Sequence, residues 1–140
     1  MTEKERYLAF AQAVQDYSTV DAATKRTVEA AVKLAPRSEP VLITGETGTG
    51  KELIARILHG TRSGEFSTVN TTAVTDTLFE SELFGHLKGS FTGAFRDKTG
   101  LVEHAANGTL FLDEIGDMPY DLQAKVLRFI QFGTYRRVGD

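Results

Sequence analysis

The 140-residue chain contains no cysteine and no tryptophan. The missing thiols exclude disulfides, thiolate metal sites and cysteine nucleophiles. No apolar run approaches the ~20 residues of a membrane span. The N-terminus, MTEKERYLAF, carries charges where the apolar stretch of a signal peptide would stand. The chain therefore reads as soluble and cytoplasmic, with no membrane partner. A surplus of cations is missing too: 16 basic against 19 acidic side chains leave a formal charge of −3. That balance gives no electrostatic footprint for direct nucleic-acid binding, so any DNA contact is local or belongs to segments absent here. What is present is ordinary globular usage, 41% hydrophobic and 25% charged, which predicts one compact folded domain.

Along residues 4–17 the side chains of Tyr7, Phe10, Val14 and Tyr17 recur at helical spacing, which predicts an amphipathic helix. Residues 18–21 read as a hinge, so residues 1–20 form an N-terminal helix and linker ahead of a domain over residues 21–140. A second helix fits residues 21–35, with Asp21 as N-cap, Val28, Ala31 and Val32 inward and Pro36 as the stop. PVLIT, residues 40–44, has the apolar run of a strand buried on both faces and leads into Gly45, Gly48 and Gly50. Residues 52–59 follow as a helix with Leu53, Ile54, Ile57 and Leu58 inward.

FSTVN at 66–70 suggests a second strand, and Thr77 to Glu80 has the capping-box spacing that opens a helix through Phe84. Residues 85–100, broken by Gly85, Gly89, Gly93 and Gly100, read as an irregular excursion. TLFLDE at 109–114 is a third buried-strand run ending in two carboxylates. Pro119 opens a helix with Leu122, Val126, Phe129 and Ile130 on one side, ended by Gly133. Strands alternating with helices predict an α/β fold with a largely parallel sheet.

Three motifs carry chemistry. GETGTGKE, formed by Gly45, Glu46, Thr47, Gly48, Thr49, Gly50, Lys51 and Glu52, matches G-x-x-x-x-G-K. Its glycines let backbone N–H groups turn inward around phosphate oxygens, the next helix adds its dipole, and Lys51 reaches the terminal phosphates. Glu52 stands where a Ser or Thr usually offers a hydroxyl to Mg²⁺. TLFLDE supplies the carboxylates: Asp113 is the metal candidate and Glu114 the general base. GSFTGAF at 89–95 is a glycine-flanked loop presenting Phe91 and Thr92, which have no evident core partner.

Together these motifs resemble the AAA+ central domain of bacterial enhancer-binding activators, which use ATP to remodel RNA polymerase holding the sigma-54 factor. GETGTGKE is similar to that family's P-loop, with Glu in place of Ser or Thr. ESELFGHLKGSFTGAF resembles its signature GAFTGA loop, and ANGTLFLDEIGDMP followed by DLQAKVLRFIQFGTYRRVGD resembles its Walker B strand and next helix. The likeness runs from about residue 21 to residue 140. It implies a P-loop NTPase three-layer core with a mostly parallel sheet, and ATP with Mg²⁺ as ligands. Lys51 would hold the β- and γ-phosphates, Asp113 the Mg²⁺ and Glu114 the attacking water.

Asn70, at the end of the second strand, matches the family's switch residue, which hydrogen-bonds the catalytic glutamate. Gly89, Ser90, Phe91, Thr92, Gly93 and Ala94 match the signature loop, with Phe91 and Thr92 touching sigma-54. The working state implied is a homo-oligomeric ring on the sigma-54 RNA polymerase holoenzyme. Ser90 departs from the usual Ala, and Leu87 stands where an acidic residue is common. Family members continue after R-R-V-G with a sensor strand, arginine fingers and a helical lid, so the resemblance implies a domain truncated before them, its sheet interrupted in the middle. An ATP-hydrolysing activator module is the favoured reading. A nucleotide-binding or interaction remnant without turnover is its alternative, and a P-loop small-molecule kinase would leave GSFTGAF as accident.

Overall fold

The computed structural model describes residues 2, 5, 6, 8, 9, 11, 12, 22–45, 50–70 and 76–140. It divides into two compact units, Met1–Ser63 and Gly64–Asp140. In the first, Thr2 caps the opening helix: its Oγ1 accepts from the Glu5 N–H at 3.2 Å, and Glu5 Oε2 accepts from the Thr2 N–H at 2.6 Å. That reciprocal pair is a capping box. Tyr7, Phe10, Val14, Tyr17, Asp21 and the hinge at 18–21 lie outside the described residues. Helix α1 (Ala22–Leu34) and helix α2 (Lys51–His59) follow. Ala11, Val28, Ala31 and Ile57 form the unit's core, flanked by Ile54 and Leu58.

Two expectations for this unit fail. Val32 is 36% exposed, because the buried stripe of α1 consists of Val28 and Ala31 and Val32 lies past its edge. PVLIT is not a strand: residues 40–45 have no regular structure, and Leu42 is 74% exposed. An apolar run becomes a strand only when a neighbour takes up its N–H and C=O groups, and no described strand pairs with it.

The second unit runs β1 (Phe66–Asn70), α3 (Asp76–Phe84), β2 (Gly85–His86), β3 (Lys98–Thr99), α4 (Leu101–His104), β4 (Thr109–Asp113), a 3₁₀ turn at Ile115–Asp117, and α5 (Tyr120–Phe132). β1 and β4 pair in parallel, in a register that runs from Phe66 opposite Thr109 to Asn70 opposite Asp113. A parallel pair needs a crossover; here α3, the β2–β3 excursion and α4 provide it. Phe79, Leu83 and Phe84 of α3 meet Met118 and the Leu122 and Val126 of α5, with Val69, Leu110 and Leu112 packed against them. The result is the mixed α/β arrangement that the alternation of elements predicts.

Here too the structure amends details. Thr77 is the second residue of α3, exposed, and not its cap. β4 is half-buried along its length rather than buried. Ile130 is 41% exposed, since it lies about 80° round the helix from Leu122 at 100° per residue. The excursion at 85–100 contains an antiparallel ladder, Gly85 with Thr99 and His86 with Lys98. Its two ends cross at Gly85 and Gly100, where a Cβ on Gly100 would lie 2.4 Å from the Gly85 nitrogen. On its other side β2 meets Val138 in a parallel bridge. The Leu87 N–H donates to the Val138 carbonyl and the Val138 N–H to the Gly85 carbonyl, both at 3.0 Å.

Candidate functional site

The glycine motif sits at the head of α2. Gly50 is the N-cap, with φ 85° and ψ 25°, a conformation that an L side chain resists and glycine accepts. Lys51 opens the helix, and its Nζ donates to the Gly45 carbonyl at 3.0 Å. The ammonium is thus turned back toward Gly45, close to the N-terminus of the helix that Lys51 opens. Glu52 points along the helix, its carboxylate 3.4 Å from Arg56, in an exposed i,i+4 pair. Glu46, Thr47, Gly48 and Thr49 fall outside the described residues.

In the second unit the parallel register sets Asn70 directly opposite Asp113 at the C-terminal end of the pair. Glu114 follows with φ 56° and ψ 48°. A non-glycine residue in the left-handed region costs of order 1–3 kcal/mol and gathers at functional sites. Here it turns the chain sharply out of β4, and the Asp117 N–H donates to the Glu114 carbonyl at 3.0 Å to close the next turn. Both carboxylates are half-buried. No cluster of three or more His, Asp or Glu suited to a metal occurs among the described residues. A lone carboxylate suits Mg²⁺, which keeps waters and takes its remaining ligands from substrate phosphates.

The GSFTGAF loop is folded on itself. The Gly89 N–H donates to the Ala94 carbonyl at 2.8 Å, the Ala94 N–H to the Phe91 carbonyl at 3.1 Å, and the Lys88 N–H to Asp97 Oδ1 at 2.8 Å. Thr92 is exposed at the tip, between Phe91 and Gly93. Phe91 corrects the expectation of an exposed ring without a partner: it is half-buried, 5.0 Å from the His86 ring with the planes at 78°. Ala94 is buried in the loop's base, and the next residue, Phe95, is 85% exposed. Ser90 lies against Gly139, and its Oγ is buried without a hydrogen-bond partner.

Sequence reasoning missed the residues beneath the loop. His86 is buried; its Nδ1 lies 2.5 Å from Ser81 Oγ and its Nε2 2.9 Å from the Arg96 carbonyl. From α4, Glu103 Oε1 accepts from both Tyr135 and Arg137, each at 3.0 Å. Arg137 first and Tyr135 second hold the Glu103 carboxyl below its ordinary range. Burial, then the Glu103 hydrogen bond, push the Tyr135 hydroxyl up. Tyr135 also stacks on Phe84 at 5.5 Å and meets Phe129 edge-on at 5.9 Å. Residues separated by 32 and 34 positions share no local spacing, so no periodicity could have joined them.

With this geometry in hand, comparison with known proteins is specific. Residues 18–140 match the family of the sigma-54 interaction domain. The DNA-binding transcriptional regulator NtrC of Rhizobium meliloti is 57% identical over 102 residues, covering 71% of this chain and 21% of that protein. The sigma54-dependent transcriptional activator SfnR of Pseudomonas putida is 54% identical over 110 residues, covering 76% and 30%. The chain thus spans less than a third of the length of these relatives. Among solved structures, NtrX from Brucella abortus in complex with ADP superposes with a TM-score of 0.72 at 33% identity, over 94% of this chain and 29% of that one. Its complex with ATP gives a TM-score of 0.71 at 34% identity, with the same coverage.

Proposed function

The chain belongs to the sigma-54 interaction domain family, and from that membership we propose that it is the ATP-binding and ATP-hydrolysing module of an activator that remodels sigma-54 RNA polymerase in the cytoplasm. The observation that carries the proposal is the end of the parallel pair, where Asn70 faces Asp113 and Glu114 leaves the strand in a strained left-handed turn. Lys51 supplies positive charge to the β- and γ-phosphates, over and above the N–H groups at the head of α2. Asp113 is the residue that would hold Mg²⁺, which would supply positive charge against the negative charge that develops on the phosphates. Glu114 accepts the proton of the attacking water, and Asn70 orients Glu114 by hydrogen bonding. The loop from Gly89 through Ala94 presents Phe91 and Thr92 to sigma-54. Assembly into a homo-oligomeric ring completes each site with charge from a neighbouring chain.

The test is Glu114→Gln in a longer form that carries the arginine fingers, a substitution that keeps the size of the side chain and removes its basicity. Turnover should fall to background while ATP affinity stays within a few-fold of the parent. Undiminished hydrolysis in Glu114→Gln would remove Glu114 from the mechanism. ATP binding without turnover in the parent, at every protein concentration, would leave a nucleotide-binding module in place of an ATPase.

A further inference from the structure

We propose that His86 is the positioning residue of the signature loop: it serves as the fixed platform on which Phe91 is held, and through it the loop is tied to helix α3 and to the strand that carries the chain away. The proposal rests on the reading of this loop as the sigma-54 contact. Three observations converge on the ring. The backbone of His86 is clamped on both sides, by Lys98 across the β2–β3 ladder and by Val138 in the parallel bridge. The side chain reaches Ser81 on α3 and the Arg96 carbonyl on the descending arm. And the Phe91 ring stands against it at 5.0 Å.

Chemistry then fixes the tautomer. A backbone carbonyl can only accept, so Nε2 carries the proton and donates to Arg96. With the ring's single proton on Nε2, Nδ1 is bare and accepts from the Ser81 hydroxyl. A ring held at both nitrogens cannot rotate, so the aromatic face or edge offered to Phe91 has one orientation. Beyond its own backbone hydrogen bonds the tip has no other ring to rest on among the described residues: Gly89 and Gly93 have φ values of 81° and 100° with open space around them, and Thr92 is exposed. Holding Phe91 in place before a partner arrives removes an ordering cost from binding.

The tautomer is read from the His86 nitrogen chemical shifts of the full chain at neutral pH. A protonated Nε2, an unprotonated Nδ1 and ring-to-ring Overhauser contacts with Phe91 are expected. A protonated Nδ1, or rings out of contact, overturns the proposal. Function is read by titrating sigma-54 onto parent, His86→Ala, Ser81→Ala, Phe91→Ala and the His86→Ala/Phe91→Ala double variant. His86→Ala should weaken binding at least tenfold, Ser81→Ala several-fold, and His86→Gln, which keeps a donor for Arg96, should recover part of the loss. Once Phe91 is removed, removing His86 should cost nothing more; additive losses overturn the positioning role. If His86→Ala does not fold, Ser81→Ala and its cycle with Phe91→Ala decide in the same way. Unchanged sigma-54 binding in Phe91→Ala sinks the sigma-54 reading of the loop, and the nitrogen shifts and ring contacts then decide the positioning role alone.

Discussion

Ser90 brings a hydroxyl to a position where only a methyl group is needed. Its Oγ is buried with no partner, and an unsatisfied buried hydroxyl costs about 1–3 kcal/mol. Ser90→Ala should therefore be neutral or stabilising by up to about 1 kcal/mol, read as the denaturant midpoint. A loss of stability would reveal a partner for the hydroxyl. The opposite expectation holds across the contact: Gly139 has φ 87°, and a Cβ there would stand 2.6 Å from that of Ser90, so Gly139→Ala should loosen the C-terminal segment. At the nucleotide motif, Lys51→Ala leaves phosphate oxygens facing only backbone dipoles. ATP affinity should drop at least tenfold, about 1.4 kcal/mol, the scale of a lost charge-assisted hydrogen bond; equal affinities in a calorimetric titration would remove Lys51 from the site. Lys51, Asp113 and Glu114 can be singled out as candidates in the sequence, because each stands at a fixed offset from glycines or at the end of an apolar run. Glu114's left-handed backbone was not, since nothing in its residue type favours that region.

At the scale of elements, the stretch from Tyr135 to Val138 ties the end of α5 to α4 and to the base of the loop. Glu103 is the anchor, and its depressed pKa sets the sign of the pH effect. A carboxyl whose native pKa lies below the unfolded value, near 4.5, contributes stability that is full above the unfolded value and lost as pH falls through the native one. The thermal midpoint should therefore decline below about pH 4.5. Glu103→Gln should flatten that limb, shallow because the pair is largely exposed. A limb of unchanged slope in Glu103→Gln would assign it to other carboxyls. At the crossing under the loop, Gly100→Ala places a methyl 2.4 Å from backbone atoms of Phe84 and Gly85. Backbone cannot rotate away as a side chain can, so a loss of about 3 kcal/mol is expected; a loss below 1 kcal/mol would show that the crossing relaxes. Helices α1, α2, α3 and α5 and the strands β1 and β4 were readable from spacing to within a residue or so, whereas the four-residue α4 was not. The β2–β3 ladder was not, because a two-residue strand has too few positions for a period.

For the whole molecule, the proposed ring makes a kinetic prediction. A charge donated by a neighbouring chain typically carries ~10³ to 10⁵ of the rate in P-loop hydrolases, so in a longer form that carries the arginine fingers ATP turnover per chain should rise steeply with protein concentration, while residues 1–140 by themselves should turn over negligibly. Turnover per chain independent of concentration, and lost in Glu114→Gln, would mean that each chain completes its own site. Much of this protein was legible in the sequence alone: the absence of thiols, the alternation of strands and helices, the G-x-x-x-x-G-K motif, the paired carboxylates and the glycine-flanked loop all follow from residue types at short, fixed spacings. What tertiary structure decided is where partners are distant. PVLIT has every local mark of a buried strand and is unpaired and exposed, because a ladder needs hydrogen bonds from a neighbour that no local pattern can supply. Phe91 looked free and rests on His86, and Glu103 gathers Tyr135 and Arg137 from over thirty residues away. Local periodicity records which face of an element is apolar; only the folded chain brings a second face against it.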